Sequence, residues 1–181
     1  MTSNNIILKK AQILHCVCTF AFFFLTTSCG VSTSLNVVPD VSQYSSSIPE
    51  RVIVSDFSFT SGNNFLAKNK HGLWELYVEG DPVEIGMQTG SLTRELFKKQ
   101  ERAFLLKIDD LVPSKTKQYL LRKVLAWYNR KMYLNIPEEY KAEIYGLSRY
   151  ASMDYGHIAP NYLRILYLHG AHDIGHAFQD L

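Results

Sequence analysis

Past residue 29 the chain has no cysteine: its three are Cys16, Cys18 and Cys29. A body without thiols can form neither a disulfide nor a zinc–thiolate site, and it holds no cysteine nucleophile, so packing has to stabilise it. Acidic residues are missing from the other end, where none precedes Asp40. The apolar stretch Ala11 to Leu25 is too short to cross a bilayer core, which takes about 20 apolar residues. There is no Gly-rich phosphate loop with its Lys, no His-Glu-x-x-His helix and no nucleophile elbow around Ser91, since Thr89-Gly90-Ser91-Leu92 lacks that pattern. Spacing alone therefore assembles no complete active site, and no internal repeat is visible.

What is present begins with an export signal. Lys9 and Lys10 precede the apolar run, which carries Phe20, Ala21, Phe22, Phe23, Phe24 and Leu25 and has the proportions of a signal-peptide core. It ends in Leu25-Thr26-Thr27-Ser28-Cys29-Gly30, which resembles a bacterial lipobox. Residues 1–28 are thus expected to be a lipoprotein signal peptide, with lipid on Cys29 anchoring the chain to the cell envelope, in either the inner or the outer membrane. Losing Lys9 and Lys10 leaves seventeen of the 19 basic residues against 17 acidic ones. That neutral sum leaves no electrostatic footprint for nucleic acid. Residues 29–50, rich in Ser and broken by Pro39 and Pro49, read as a tether with too little apolar surface to offset the entropy of ordering. Residues 51–181 are long enough for one modest domain.

Within that domain strands come first. Arg51 to Phe59 carries Val52, Val54, Phe57 and Phe59, with its alternation broken near Ser55-Asp56. Leu73 to Glu79 alternates better, with Trp74, Leu76 and Val78 on one face. Gly62-Asn63-Asn64 and Lys70-His71-Gly72 are turn-like, which makes a short antiparallel ribbon. About four helices follow. Asp81-Pro82-Val83-Glu84 supplies a cap, a first-turn proline and a carboxylate, starting a helix that runs to about Leu111. Ser114 caps a second, bearing Leu120, Val124, Trp127 and Leu134. Pro137 starts a third, with Gly156 as its end, and Pro160 a fourth that reaches the C-terminus. The class expected is α+β.

Two patterns call for explanation. Gly86 and Gly90 share a face of the first helix, each costing roughly 1 kcal/mol relative to alanine. They read as close-packing glycines, where a neighbouring backbone approaches. In the last helix His169, His172 and His176 fall on one stripe, with Asp173 beside them. Histidines four apart can converge on a metal. The blander account is a packed helix whose imidazoles bond to nearby carbonyls or carboxylates, and no metal or cofactor is expected.

Glu79-Gly80-Asp81-Pro82-Val83-Glu84-Ile85-Gly86-Met87-Gln88-Thr89-Gly90-Ser91-Leu92 resembles the opening of the penicillin acyltransferase-like, choloylglycine hydrolase-related group of N-terminal-nucleophile (Ntn) hydrolases. Ile136-Pro137-Glu138-Glu139-Tyr140, followed by Ile144-Tyr145-Gly146-Leu147-Ser148, is similar to the next helix of that group. Ala171-His172-Asp173-Ile174-Gly175-His176-Ala177 resembles the segment before the catalytic cysteine in exported bacterial members. The likeness covers about residues 73–181. It implies the N-terminal portion of an αββα fold and a cysteine that, after self-cleavage, attacks acyl-amide bonds with its own α-amine as base. An unperturbed α-amine, with a pKa of about 8, suits that role.

No such cysteine follows Cys29, and lipidation would consume the Cys29 thiol. The leading expectation is therefore the pre-nucleophile part of a lipid-anchored cysteine Ntn hydrolase or acyltransferase, inactive alone. It would be completed by a cysteine-led C-terminal segment or second chain, with His172, Asp173 and His176 as structural support near the missing nucleophile. The alternatives are a non-catalytic envelope lipoprotein that serves as an interaction module, and a metal-binding lipoprotein built on the histidine stripe.

Overall fold

A computed structural model describes residues 35–128 and 130–170. Four strands, β1 (Val52–Ser55), β2 (Ser58–Ser61), β3 (Asn64–Lys68) and β4 (Trp74–Tyr77), form one antiparallel sheet in chain order. The break in alternation near Ser55 is a register shift between Ile53 and Ser55 that separates β1 from β2. So Arg51 to Phe59 holds one strand and the start of another, and β3 adds a strand that the turn-like Gly62-Asn63-Asn64 masked. Gly62 takes φ 60° in the β2–β3 hairpin, a backbone conformation that favours glycine. In the β3–β4 turn the Asn69 side-chain oxygen accepts the N–H groups of His71 at 2.9 Å and Leu73 at 3.1 Å.

The pairing register assigns the faces. Ile53, Phe59, Leu66 and Leu76 stand in one cross-strand row, whereas Val52, Thr60, Phe65 and Tyr77 stand in the row on the other face. The first face carries buried Ser61, Asn64 and Leu66 beneath a helix. On the second, Phe65 and Tyr77 stack with ring centroids 5.8 Å apart and remain exposed, as does Val52.

Five α-helices follow among the described residues: α1 (Pro82–Leu92), α2 (Arg94–Leu111), α3 (Lys115–Tyr128), α4 (Glu138–Ser148) and α5 (Asn161–His169). The α+β order of strands then helices is present, with five helices rather than four. The extra one arises because the first expected helix is interrupted at Thr93. There the Thr93 hydroxyl donates to the Thr89 carbonyl at 2.6 Å, a back-bond that competes with the ladder and bends helices. The third expected helix stops at Ser148 rather than Gly156. A 3-10 turn at Met153–Tyr155 follows, its Asp154 N–H capped by the Ser152 hydroxyl at 3.2 Å.

Two apolar clusters hold the helices. The larger joins Phe97 of α2, Ile144 and Leu147 of α4, Ala151, Ala159, and Tyr162, Leu163, Ile165 and Leu166 of α5. The smaller joins Val83 and Met87 of α1 to Ala142 of α4. From Leu35 on, the expected tether is packed rather than free. Leu35 and Val37 pack against the larger cluster and Val41, Tyr44 and Ile48 against the smaller. The Pro49 carbonyl accepts the Ser61 hydroxyl at 2.7 Å. The few apolar residues in this Ser-rich stretch are spaced so that they reach the core, and composition alone conceals that.

Candidate functional site

The segment from Glu79 to Leu92, which carries the sequence motif, sits where the sheet meets the helices. Its entry is tightly bonded. Asn64, buried at the end of the β2–β3 hairpin, donates to the Ser61 carbonyl at 3.1 Å and accepts the Glu79 N–H at 2.7 Å. The Glu79 carboxylate accepts the Tyr77 hydroxyl at 2.7 Å and the Asn63 amide at 3.0 Å. These two bonds, Tyr77's first, hold the Glu79 carboxyl below its usual range; the same contact raises the Tyr77 hydroxyl. Gly80 has φ 133°, and a Cβ there would lie 2.8 Å from a Glu84 carboxylate oxygen. That oxygen instead accepts the Asp81 N–H at 3.1 Å, closing the first turn of α1 as the Asp-Pro-x-Glu spacing suggested.

Helix α1 then crosses α4 at near backbone contact. A Cβ on Gly86 would sit 1.9 Å from the Glu143 carbonyl oxygen, and one on Gly146 would sit 2.3 Å from the Val83 carbonyl oxygen. The two glycines thus open reciprocal gaps in one crossing. Gly90 lies under a ring, with Tyr150 Cδ2 2.5 Å from where its Cβ would be. Gly146 belongs to the second motif and Gly86 to the first, so the tertiary contact brings together two sequence motifs some sixty residues apart.

Two open cavities flank α1. The first, about 340 Å³, is lined by Asn63, Asn64, Glu79, Glu84 and Gln88 among others. Gln88, between the motif glycines, is buried, and its side-chain oxygen has no hydrogen-bond partner among the described residues. The second cavity, about 410 Å³, is lined by Arg51, Ser91, Arg94 and Tyr150. Arg51 there forms a two-pronged pair with Glu95 at 2.9 and 2.7 Å, which holds the Glu95 carboxyl below its usual range. Asn64, Gln88 and Arg51 escaped the sequence reading. Asn64 was absorbed into a turn and Gln88 into a motif, and nothing local relates Arg51 to Glu95.

Among the described residues no three His, Cys, Asp or Glu side chains converge as metal ligands. His169 points Nδ1 at the Ile165 carbonyl, 2.8 Å away, one turn back in its own helix. Cys29, His172, Asp173 and His176 lie outside the described residues. The motif glycines therefore have a structural setting in this chain, whereas the histidine stripe is represented only by His169.

Fold and site together define an α+β protein, a four-stranded antiparallel sheet followed by five helices, with its motif helix wedged between sheet and bundle. No protein-family model, curated protein or solved structure matches the chain.

Proposed function

We propose that this chain is the pre-nucleophile portion of a lipid-anchored cysteine Ntn hydrolase or acyltransferase acting on acyl-amide bonds. The observation that carries the reading is the shape of the sheet. Helix α1 covers part of one face, over Ser61, Asn64 and Leu66, leaving Ile53 and Leu76 of that face exposed, and Val52, Phe65 and Tyr77 on the other face are exposed as well. Both edges, β1 and β4, are unpaired within the described residues. An αββα sandwich needs such a surface, with helices outside, a second sheet packed on the bare face and further strands added at an edge. Left uncovered, an apolar face with two open edges is an aggregation hazard. The Gly86–Gly146 crossing adds support, because it gives both resembling motifs one structural purpose, the seating of the first helix pair beside the sheet.

The division of labour follows from the side chains present. Asn64, Glu79 and Glu84 set the strand-to-helix corner, and Gln88 and Arg51 edge the two cavities where a substrate would meet it. No cysteine follows Cys29, so the nucleophile and its α-amine belong to a segment outside these residues. Lipid on Cys29 would hold the assembly to the envelope membrane.

The direct test is to supply a segment beginning with the cysteine of such an enzyme, encoded downstream in the genome, and to assay self-cleavage and acyl-amide hydrolysis. Turnover should require that cysteine. Catalysis by the 181 residues alone, kept through repurification and abolished by a substitution within them, would overturn the reading. Anchoring is tested separately: fatty-acid label incorporated by the chain and kept after Cys29→Ser would remove Cys29 from its role.

A further inference from the structure

Helix α3 is turned the wrong way for a core helix. Of its 14 residues only Ala126 is buried. Gln118, Arg122 and Leu125, on the same side, are half-buried. Arg122 turns inward, donating to the His157 and Ile158 carbonyls. On the opposite side Leu120, Val124, Trp127 and Tyr128 occupy an arc of about 100°, and all four are exposed. An outward apolar stripe on a helix that is pinned by its other side requires an occupant.

The charges around that stripe say which. No acidic residue occurs between Asp110 and Glu138, a stretch with six Lys or Arg. The neutral sum of the body therefore conceals a strong local imbalance. Lys123 borders the stripe, Lys117 lies on its line one turn before it, and Arg130 and Lys131 follow the end of the helix. Lys123 lies 4.7 Å from the Tyr119 ring centroid and the Arg130 guanidinium 4.2 Å from that of Trp127. Long cationic stems beside Trp and Tyr suit a boundary where one end is apolar and the other wet. The helix cannot cross a bilayer, since no described helix is long and apolar enough. A basic, aromatic, one-sided helix of this length instead lies along an anionic lipid surface. A protein partner selected for the stripe alone would not explain the absence of acid, and a nucleic acid would not explain the apolar face.

The lead-in segment adds a reason of geometry. Leu35 packs against the larger cluster and only five residues lie between it and Cys29, a reach of at most about 20 Å. A body held that close to lipid has some face against it. We propose that α3 is that face: a peripheral membrane-docking helix that seats the body on anionic phospholipid. The proposal rests on the envelope location in the reading above and not on the hydrolase activity.

The test uses the full chain, made in an exporting bacterial host and mixed with vesicles of phosphatidylglycerol and phosphatidylcholine or of phosphatidylcholine alone. Trp74→Phe leaves Trp127 as the sole tryptophan, and Trp127→Phe leaves Trp74 on the sheet. With brominated acyl chains in the anionic vesicles, Trp127 emission should fall by about half and shift to the blue, while Trp74 should be unaffected. High salt, or Lys117→Glu with Lys123→Glu and Lys131→Glu, should reverse the quenching. The salt arm needs only the unmodified charges, so it still decides if the charge variant misfolds. Vesicles that carry the chain while Trp127 stays open to aqueous iodide would overturn docking by α3 and leave the Cys29 anchor standing. Quenching indifferent to lipid charge and salt would overturn the anionic surface. If Cys29 proves unlipidated, quenching at anionic vesicles still supports α3, and its absence overturns it.

Discussion

Glu101 and Arg164, 63 residues apart on α2 and α5, form an ion pair at 3.2 Å with both side chains at least nine-tenths buried. Neither is left with bare polar atoms. The second Glu101 oxygen accepts the Ser152 N–H at 2.9 Å, and Arg164 donates to the Ala159 carbonyl at 2.7 Å and to the Ser152 carbonyl. The pair thus ties two helices to the loop between α4 and α5. A buried pair so satisfied adds little over an apolar substitute, but removing one partner strands the other.

Glu101→Ala or Arg164→Ala should accordingly destabilise the chain by about 3–5 kcal/mol. The double change Glu101→Leu with Arg164→Met should cost far less than the two single losses together. Urea denaturation followed by circular dichroism measures both. Additive losses would mean that the two charges do not depend on each other.

The α1–α4 crossing makes a sharper demand. Gly86→Ala and Gly146→Ala each place a methyl inside a carbonyl's contact distance, so the helices must separate, at a cost of at least about 2 kcal/mol. Gly156→Ala meets nothing nearer than the Met153 carbonyl at 3.4 Å and should be tolerated. Thermal midpoints of the three variants give the comparison, and a Gly86→Ala protein as stable as Gly156→Ala would contradict the crossing.

Tyr162 makes the fold sensitive to alkali. Burial, with Glu138 adding repulsion, pushes its hydroxyl up to about 12. A folded pKa above the unfolded value of about 10 means stability that is intact below pH 10 and lost as pH rises towards 12. Ultraviolet titration should show a late tyrosine that disappears in Tyr162→Phe. That hydroxyl has no hydrogen-bond partner among the described residues, so Tyr162→Phe should cost under about 1 kcal/mol at neutral pH and soften the alkaline transition.

The lead-in segment behaves as part of the body. A chain starting at residue 51 loses Val41, Tyr44 and Ile48 from the cluster around Val83 and Met87. It should unfold or aggregate at temperatures where a chain starting at residue 30 stays folded, since bare apolar patches favour association. Light scattering during a thermal ramp distinguishes them. The sheet face bearing Val52, Phe65 and Tyr77 should leave even the longer chain prone to association until something covers it. Leu147 and Leu166, by contrast, are buried between α4 and α5. Tyr119, Val124 and Trp127 on α3 are exposed and add to that tendency.

The signals legible in the sequence were those whose cause lies within a few residues. Asp81, Pro82 and Glu84 mark the start of α1 because capping is a local bond. The turns at Gly62 and Gly72 are legible because only glycine takes their φ cheaply. The order of strands before helices follows from periodicity. By itself the sequence also determined that no thiol follows Cys29 and that the residues from Asp110 to Glu138 enclose a stretch free of acid. The tertiary structure alone decided that Gly86 and Gly146 each meet the backbone of the opposite helix, that Asn64 reaches Glu79 and Glu101 reaches Arg164, that the Ser-rich lead-in from Leu35 on lies on the core, and that the stripe on α3 faces outward. Each of these depends on which surfaces meet across long separations, and a helix's apolar stripe looks the same in sequence whether it turns towards the core or away from it.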